Sequence, residues 1–398
     1  MKWASLFIAN FLGVFNDNFL KHLAVFTGVT WIAKEHHSLV ISLASAMLVI
    51  PYLLFSPYAG RLSRRYSKVL VTRWAKFAEI PIMTIAGIGF LLQSLPIVII
   101  SIFLMGLQSA LYSPSKYGLI RDIGGLDGIS FGTGILEMLT FLGVLFATVL
   151  ASTISDNFNI RTVGFIFFIV SLGGYISSLF LKANEPPVDL AKDSINPLRF
   201  LIDSFRYAQT IKGLNPVVFA ASFFWLIVAL IQLNLIVYGP KILHLTNTQT
   251  GYIMAIAGLG VAIGCYLSGV LSNHKVEMRF VVIGGIGLLS SVLLISLFSP
   301  RVYIFTFLVF IAALFSGLYK IPLGAWMQEH VPGRMLGEII AYANLMDFIF
   351  ILISSALFGI LDVNVGPTGV FIAISILTFT MLLFVLLKLP GIKLPWKR

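Results

Sequence analysis

The stretch LYSPSKYGLIRD, residues 111–122, returns in outline 207 residues later as LYKIPLGAWMQE, residues 318–329. A second pair, GRLSRRYSK from Gly60 and GVLSNHKVE from Gly269, shares a G-x-L-S frame about 209 residues apart. Two matches at nearly one offset argue that the chain is a duplication. The surroundings of these segments decide what was duplicated.

Hydrophobic residues form 58% of the 398 residues and charged residues 11%, and mean hydropathy is +0.97. A soluble domain carries about a quarter charged residues, so this composition belongs to a membrane protein. Twelve apolar runs stand out at about 4–33, 39–60, 69–92, 96–117, 129–154, 160–181, 214–238, 249–272, 280–299, 302–326, 335–361 and 366–388. Most are near the ~20 residues that cross a hydrocarbon core as a helix. Without period-2 alternation they exclude a barrel, which leaves a helical bundle. The longest polar stretch, 183–213, contains Pro186, Pro187 and Pro197 and divides the runs six and six. The sequence thus predicts an N-terminal six-helix bundle over 1–182, a cytoplasmic linker over 183–213 and a C-terminal six-helix bundle over 214–398. A parallel six-plus-six repeat is a plan of transporters that bind substrate near the midplane between their halves.

The net charge of +11 raises nucleic acid as a partner, but its placement speaks for topology. With the N-terminus in the cytoplasm, about twenty cations fall on the cytoplasmic side, from Lys2 and the Arg61–Arg73 group to Lys192 in the linker and the tail Lys388, Lys393, Lys397 and Arg398. Four, Lys34, Arg161, Lys241 and Arg301, fall opposite. That bias places both termini in the cytoplasm and excludes nucleic acid as the reason for the charge. The start does not resemble a cleavable signal, so the first run is expected to remain. The one cysteine, Cys265, lies within a run, which leaves no internal disulfide.

The loop GRLSRRYSK resembles the G-x-L-[AGS]-D-R-x-G-R motif of the major facilitator superfamily. Gly60, Leu62, Ser63 and Arg65 fit and Lys68 is a like-charge substitute, but Arg64 and Ser67 replace the motif's aspartate and second glycine. That aspartate helps close the cytoplasmic side in the family, so its loss leads one to expect no such charge pair here. More narrowly, NDNFL in the first run, LMGLQSALYSPSKYGLIRD from Leu104, GILEMLTFLG from Gly134, SFFW from Ser222 and IPLGAWMQE from Ile321 are together similar to the bacterial lysophospholipid transporter family. The resemblance implies transport of lysophospholipids, lysophosphatidylethanolamine in particular, across the inner membrane to a cytoplasmic acyltransferase. It also implies a basic residue in the seventh run, where this chain has Gln232.

Charge inside a span costs at least ~2.5–3.5 kcal/mol and usually faces a cavity or partner. Asn10, Asp17 and Lys21, at spacings of seven and four, share a helical face; mutual neutralisation of Asp17 and Lys21 as an i,i+4 pair is the plainer reading. Gln108, Tyr112 and Lys116 also recur every four residues, with Pro114 expected to interrupt the helix. Lys116 suits a lipid phosphate or simply snorkels to the interface. Glu137 suits a substrate ammonium, a pair with Lys116 or a proton site. Lys76 and Glu79, three apart, read as an internal pair. Lys320, Asn344 and Asp347 are candidates by repeat symmetry, and of Gln232 and Asn234 only one can face a cavity, with Gln232 favoured by the resemblance. The gating loop is Gly60, Arg64, Arg65 and Lys68. Gly260, Gly264 and Ser268 form a small-residue face for helix packing. Phe223 and Phe224 fit packing better than an acyl-chain pocket.

Three functions are weighed against these residues. A lysophospholipid transporter needs a few polar anchors beside an apolar wall. A proton-coupled exporter of drugs or small solutes on the same fold would titrate Asp17 or Glu137. An acyltransferase would need a histidine-x4-aspartate pair, and none of His22, His36, His37, His244, His274 or His330 has the aspartate. Neither HExxH nor GxxxxGK[ST] occurs, so no enzyme activity and no cofactor are expected. Membrane lipids are the expected surroundings, and a monomer suffices because the pathway runs between the chain's own halves.

Overall fold

The computed structural model describes residues 2–31, 37–156, 159–187, 196–272 and 275–392. Lys34, His36, Lys192, His274, Lys393, Lys397, Arg398 and the linker segment 188–195 lie outside them. Among the described residues there is no strand. The helices are α1 (Ala4–Gly28), α2 (His37–Arg65), α3 (Lys68–Leu91), α4 (Leu95–Gly124), α5 (Ile129–Asp156), α6 (Ile160–Leu179), α7 (Pro197–Thr210), α8 (Leu214–Ile242), α9 (Asn247–Leu271), α10 (Arg279–Phe298), α11 (Val302–His330) and α12 (Leu336–Lys388). The last is two helices in line, broken at Gly366, whose φ of 68° is followed by Pro367. Setting α7 aside and counting the two arms of α12 separately gives the twelve expected spans.

Ten segments are long and apolar enough to cross a membrane by length and composition alone, with α12 counted once. Helix α1 is not among them: Asn10, Asn16, Asp17, Asn18, Lys21 and His22 dilute its apolar content. Polar groups mark the helix starts. Ser67 accepts from Leu70 N at the start of α3, and Thr246 with Gln249 forms a capping box on α9, each satisfying amides the first turn leaves open.

Two departures from the sequence reading concern local structure. Pro114 does not interrupt α4, which runs unbroken from Leu95 to Gly124. The linker contains the helix α7, capped by Asn196, whose Oδ1 accepts from Leu198 N at 2.9 Å and Arg199 N at 3.3 Å. Pro197 takes the first helical position, where its missing N–H costs nothing. Phe200, Ser204 and Ala208, four apart, are buried while Leu198 and Ile202 are exposed.

By contacts the chain groups into two units that do not follow the linker. The first is Met1–Gly125, Leu142–Ser204 and Pro332–Leu345, and the second is Leu126–Phe141, Phe205–Val331 and Met346–Arg398. Each therefore holds helix ends from both repeats. In the first, Phe15 stacks on Phe19 and Phe19 meets Phe167 edge-on, with centroids 5.6 and 5.5 Å apart. In the second, Tyr238, Phe305 and Phe371 form a triangle with sides of 5.0, 5.0 and 5.9 Å. Lipid is as apolar as these side chains, so close packing and not burial from water holds such cores together. The small face of α9 is packed accordingly: a Cβ on Gly260 would lie 2.7 Å from Phe310 O, one on Gly264 would strike Leu314 O, and Ser268 Oγ lies 3.4 Å from Leu318 O, all on α11.

Candidate functional site

In the first unit, the polar face of α1 meets α3, α4 and α6. Asp17 takes its hydrogen bond from Ser109 Oγ at 2.7 Å, while Lys21 turns to Asn18 Oδ1 at 3.4 Å. Asp17 and Lys21, four residues apart on one face, thus take separate hydrogen-bond partners. Ser109 Oγ also lies 3.0 Å from Gln108 Oε1, and Gln108 donates to Ala75 O at 3.1 Å. Asp17 Oδ1 is buried without a hydrogen-bond partner among the described residues.

One helical step away, Asn16 donates to Glu79 Oε1 at 2.5 Å and to Ser171 Oγ at 3.0 Å. Lys76 pairs with Glu79 at 2.8 Å, and the two side chains are 1% and 0% exposed. A Cβ on Gly13 would strike the Lys76 ammonium, so the lysine has room only because α1 has glycine there. The Tyr112 ring lies between two ammoniums, 5.4 Å from Lys76 Nζ and 5.8 Å from Lys116 Nζ. Its hydroxyl is buried and without a partner among the described residues. Asn10 is 1% exposed. The sequence reading singled out Asp17 but missed Asn16 and Ser109. Asn16 was detectable as one more mid-span amide; nothing in the sequence marked Ser109.

The second unit holds a second polar cluster. Glu137 on α5 pairs with Lys320 on α11 at 2.9 Å, with side-chain exposures of 5% and 15%. The ammonium lies 4.5 Å from the Trp225 ring centroid, 5.6 Å from Phe141 and 5.8 Å from Phe224. Asp347 on α12 accepts from Ser222 at 2.7 Å. Asn234 is buried and donates to Pro367 O at the α12 break, 3.0 Å away, whereas Gln232, two residues earlier, is exposed. Phe224 is fully buried against Tyr319, and Phe223 meets Phe350 edge-on at 5.9 Å.

The segment 60–68 lacks the motif's aspartate and takes part in an ion pair of reversed polarity. Arg64 pairs with Glu338, in the first turn of α12, at 2.8 Å, so a link from this loop to the second repeat exists with the base on the loop. Glu338 also sits where a helix N-terminus favours an anion. The α2 and α12 backbones approach closely here: a Cβ on Gly60 would lie 3.1 Å from both Ala341 Cβ and Glu338 Cα, and one on Gly337 would strike Ser63 Oγ. Lys68 is 3% exposed and pairs with Asp122 at 2.5 Å. The linker carboxylate Glu185 closes the α3 N-terminus, accepting from Ser67 Oγ at 2.6 Å, Val69 N at 3.1 Å and Lys68 N. Arg65, next to Arg64 in sequence, is half-buried.

These contacts repeat with the sequence. Gly269, the counterpart of Gly60, packs on α5 as Gly60 packs on α12: a Cβ there would lie 3.0 Å from Gly134 Cα and 3.1 Å from Ser130 O. Gly134 and Ala341 are 207 residues apart. Ser113 and Lys320 share that offset, as do Glu137 and Asn344. Asn344 donates to Ser113 Oγ at 2.9 Å, so one bridging position is filled twice, once by an ion pair and once by an amide and a hydroxyl.

The sequence matches the Major Facilitator Superfamily over residues 6–349. The chain belongs to this superfamily. Solved superfamily members share the fold: the transporter FucP in its outward conformation aligns with a TM-score of 0.77 at 12% identity, covering 97% of this chain and 98% of that one. The human organic anion transporter MFSD10 (TETRAN) aligns with a TM-score of 0.74 at 13% identity, covering 97% and 100%. Among curated relatives, the lysophospholipid transporter LplT of Enterobacter sp. (strain 638) is 25% identical over 353 residues, 85% of this chain and 83% of that protein. LplT of Citrobacter koseri is 24% identical over 379 residues, 93% and 91% of the two chains. The protein is a multi-pass membrane transporter of the superfamily.

Proposed function

We propose that this transporter moves lysophospholipids, lysophosphatidylethanolamine among them, across the bacterial inner membrane to its cytoplasmic face, where an acyltransferase consumes them. The observation that carries the reading is the near full-length similarity to curated lysophospholipid transporters, which reaches 93% of the chain. The side chains are compatible with it. A headgroup bearing both charges needs a carboxylate and an ammonium within reach, and each unit offers them beside aromatic surface. Asp17 Oδ1, buried and without a hydrogen-bond partner among the described residues, is a ready acceptor for an ammonium or hydroxyl donor. Lys116, beside Tyr112 and Tyr117, offers a point charge to phosphate. Asn10, Gln108, Tyr112 and Lys21 complete the first polar face, Glu137 on α5 adds a carboxylate from the first repeat, and Lys320, Asn344, Asp347 and Gln232 are the candidates from the second repeat. Both termini lie in the cytoplasm in this reading, and a monomer is the working unit.

Purified protein in liposomes, given labelled lysophosphatidylethanolamine with and without a proton gradient, tests it. Translocation that requires Asp17, spares a diacyl phospholipid and ignores the gradient is the expected result. A folded protein that moves no lysolipid overturns the reading and favours proton-coupled export.

A further inference from the structure

Where α7 passes into α8, the second unit contains an open cleft of about 340 Å³, walled by Phe205, Phe219 and Phe384, with Gln209, Asn215 and Lys388 in its polar lining. We infer that this cleft holds an anionic phospholipid of the cytoplasmic leaflet, its phosphate met by Lys388 and Lys212 and the start of an acyl chain laid against the aromatic wall. The lipid is a bound component of the transporter and not its cargo. The leaflet follows from the charge bias that places the linker in the cytoplasm, and the site stands whatever the transported substrate is.

The position of the cleft suits a lipid. Lys388 ends α12 and Leu214 begins α8. The two ends meet: a Cβ on Gly213, whose φ is 93°, would lie 2.8 Å from Pro390 Cγ. The polar lining is therefore at helix ends, where headgroups lie, while Phe384 and Phe219 stand roughly one and one and a half turns farther in. Phe219 meets Phe205 edge-on at 6.5 Å. Leu383 and Leu387, each one residue before a lining residue of α12, are exposed as lipid-facing side chains are.

Charge selects the kind of lipid. Segments 205–219 and 384–392 carry Arg206, Lys212 and Lys388 and no acidic residue. Lys212 stands between the lining residues Ile211 and Gly213. All three cations are exposed and have no ion-pair partner among the described residues. At the opposite end of α8, by contrast, Lys241 has Asp362 at 3.7 Å. Glu277, next to the Met278 that packs on Gly391, is already paired with Arg279 at 2.9 Å. Complementing the α12 dipole would explain Lys388, but neither Lys212 nor the cleft. A basic pocket between membrane helices on the cytoplasmic side is the arrangement that binds anionic headgroups. Its volume lies at the low end for ligand sites, enough for a headgroup and the start of one chain, with the rest of the lipid in the bilayer.

Purified protein in detergent is titrated with dioleoylphosphatidylglycerol, dioleoylphosphatidylcholine or glycerol phosphate, with bound lipid counted by native mass spectrometry and thermal stabilisation measured alongside. Wild type is expected to bind phosphatidylglycerol in preference to phosphatidylcholine and not to respond to glycerol phosphate. Lys388→Gln and Lys212→Gln, both at exposed positions that folding tolerates, are each expected to weaken binding of phosphatidylglycerol about fivefold, and Lys388→Arg to retain it. A phosphatidylglycerol with a photoactivatable chain is expected to cross-link within 205–219 and 384–388. Glutamine variants that bind as tightly as wild type, or cross-links confined to other segments, overturn the site. Equal binding of phosphatidylcholine overturns the selection by charge, and stabilisation by glycerol phosphate alone overturns the lipid as occupant. None of these outcomes depends on whether lysolipids are transported.

Discussion

Reversing the sign of Arg64 and Glu338 separately and then together measures what their contact contributes. At 2.8 Å the bare Coulomb attraction is about 6 kcal/mol for an effective dielectric constant near 20. Both side chains keep some solvent contact, 13% and 14% exposure, and desolvation offsets much of the attraction. A net coupling of about 1.5–3 kcal/mol is therefore expected, as for hydrogen bonds between charged groups, or roughly 10- to 150-fold in an opening equilibrium. Ser63 packs beside the pair against Gly337 and is 5% exposed, and the native Cys265 is buried. The labelling rate of Ser63→Cys by a water-soluble maleimide thus reports separation of α2 from α12. Arg64→Glu and Glu338→Arg should each speed labelling, and their combination should return it most of the way to the wild-type rate. A double reversal that labels as fast as either single change would refute the assigned coupling.

Four further outcomes follow from the packing. Gly134→Val should destabilise the protein by about 1–3 kcal/mol, seen as a lower melting temperature, because its Cβ would lie 2.7 Å from Cys265 O and from Gly269 Cα. Gly258→Ala, where nothing lies within 4 Å, should gain up to about 1 kcal/mol from helix propensity in the same measurement. Oxidising a Gly60→Cys, Ala341→Cys protein should cross-link α2 to α12 and stop transport until reductant is added, since their Cβ positions are 3.1 Å apart and near the disulfide range; continued transport by cross-linked protein would remove this contact from the cycle. Glu79→Leu should cost about 3–5 kcal/mol by stranding the Lys76 ammonium, and Lys76→Met added to it should recover most of that loss in thermal melts.

Length and hydropathy are written into the sequence directly, so the spans were legible within a few residues at most ends. Helix α7 was not, because its apolar residues recur every four positions inside a stretch read by its prolines and charges; the Phe200–Ser204–Ala208 spacing was the available signal. Glu137 stood out as a carboxylate in an apolar run and the repeat offset named Lys320 and Asn344, yet neither signal showed that two equivalent bridges form. Equivalence between repeats says which positions correspond, and only packing says which positions touch. Arg64 shows the same limit. Compared with a motif it registers as a missing acid, and its compensation by Glu338 lies 274 residues away. Asp17 was found because a carboxylate is conspicuous in an apolar run, while its actual donor, Ser109, is too ordinary in membrane helices to be noticed.

The doubled bridge also bears on the history of the chain. Two identical six-helix proteins associating about a twofold axis would make this contact twice in the same form, and any substitution would alter both copies together. Fusion into one polypeptide lifted that constraint. In this chain one copy is glutamate and lysine and the other asparagine and serine, so the two equivalent joints differ in charge.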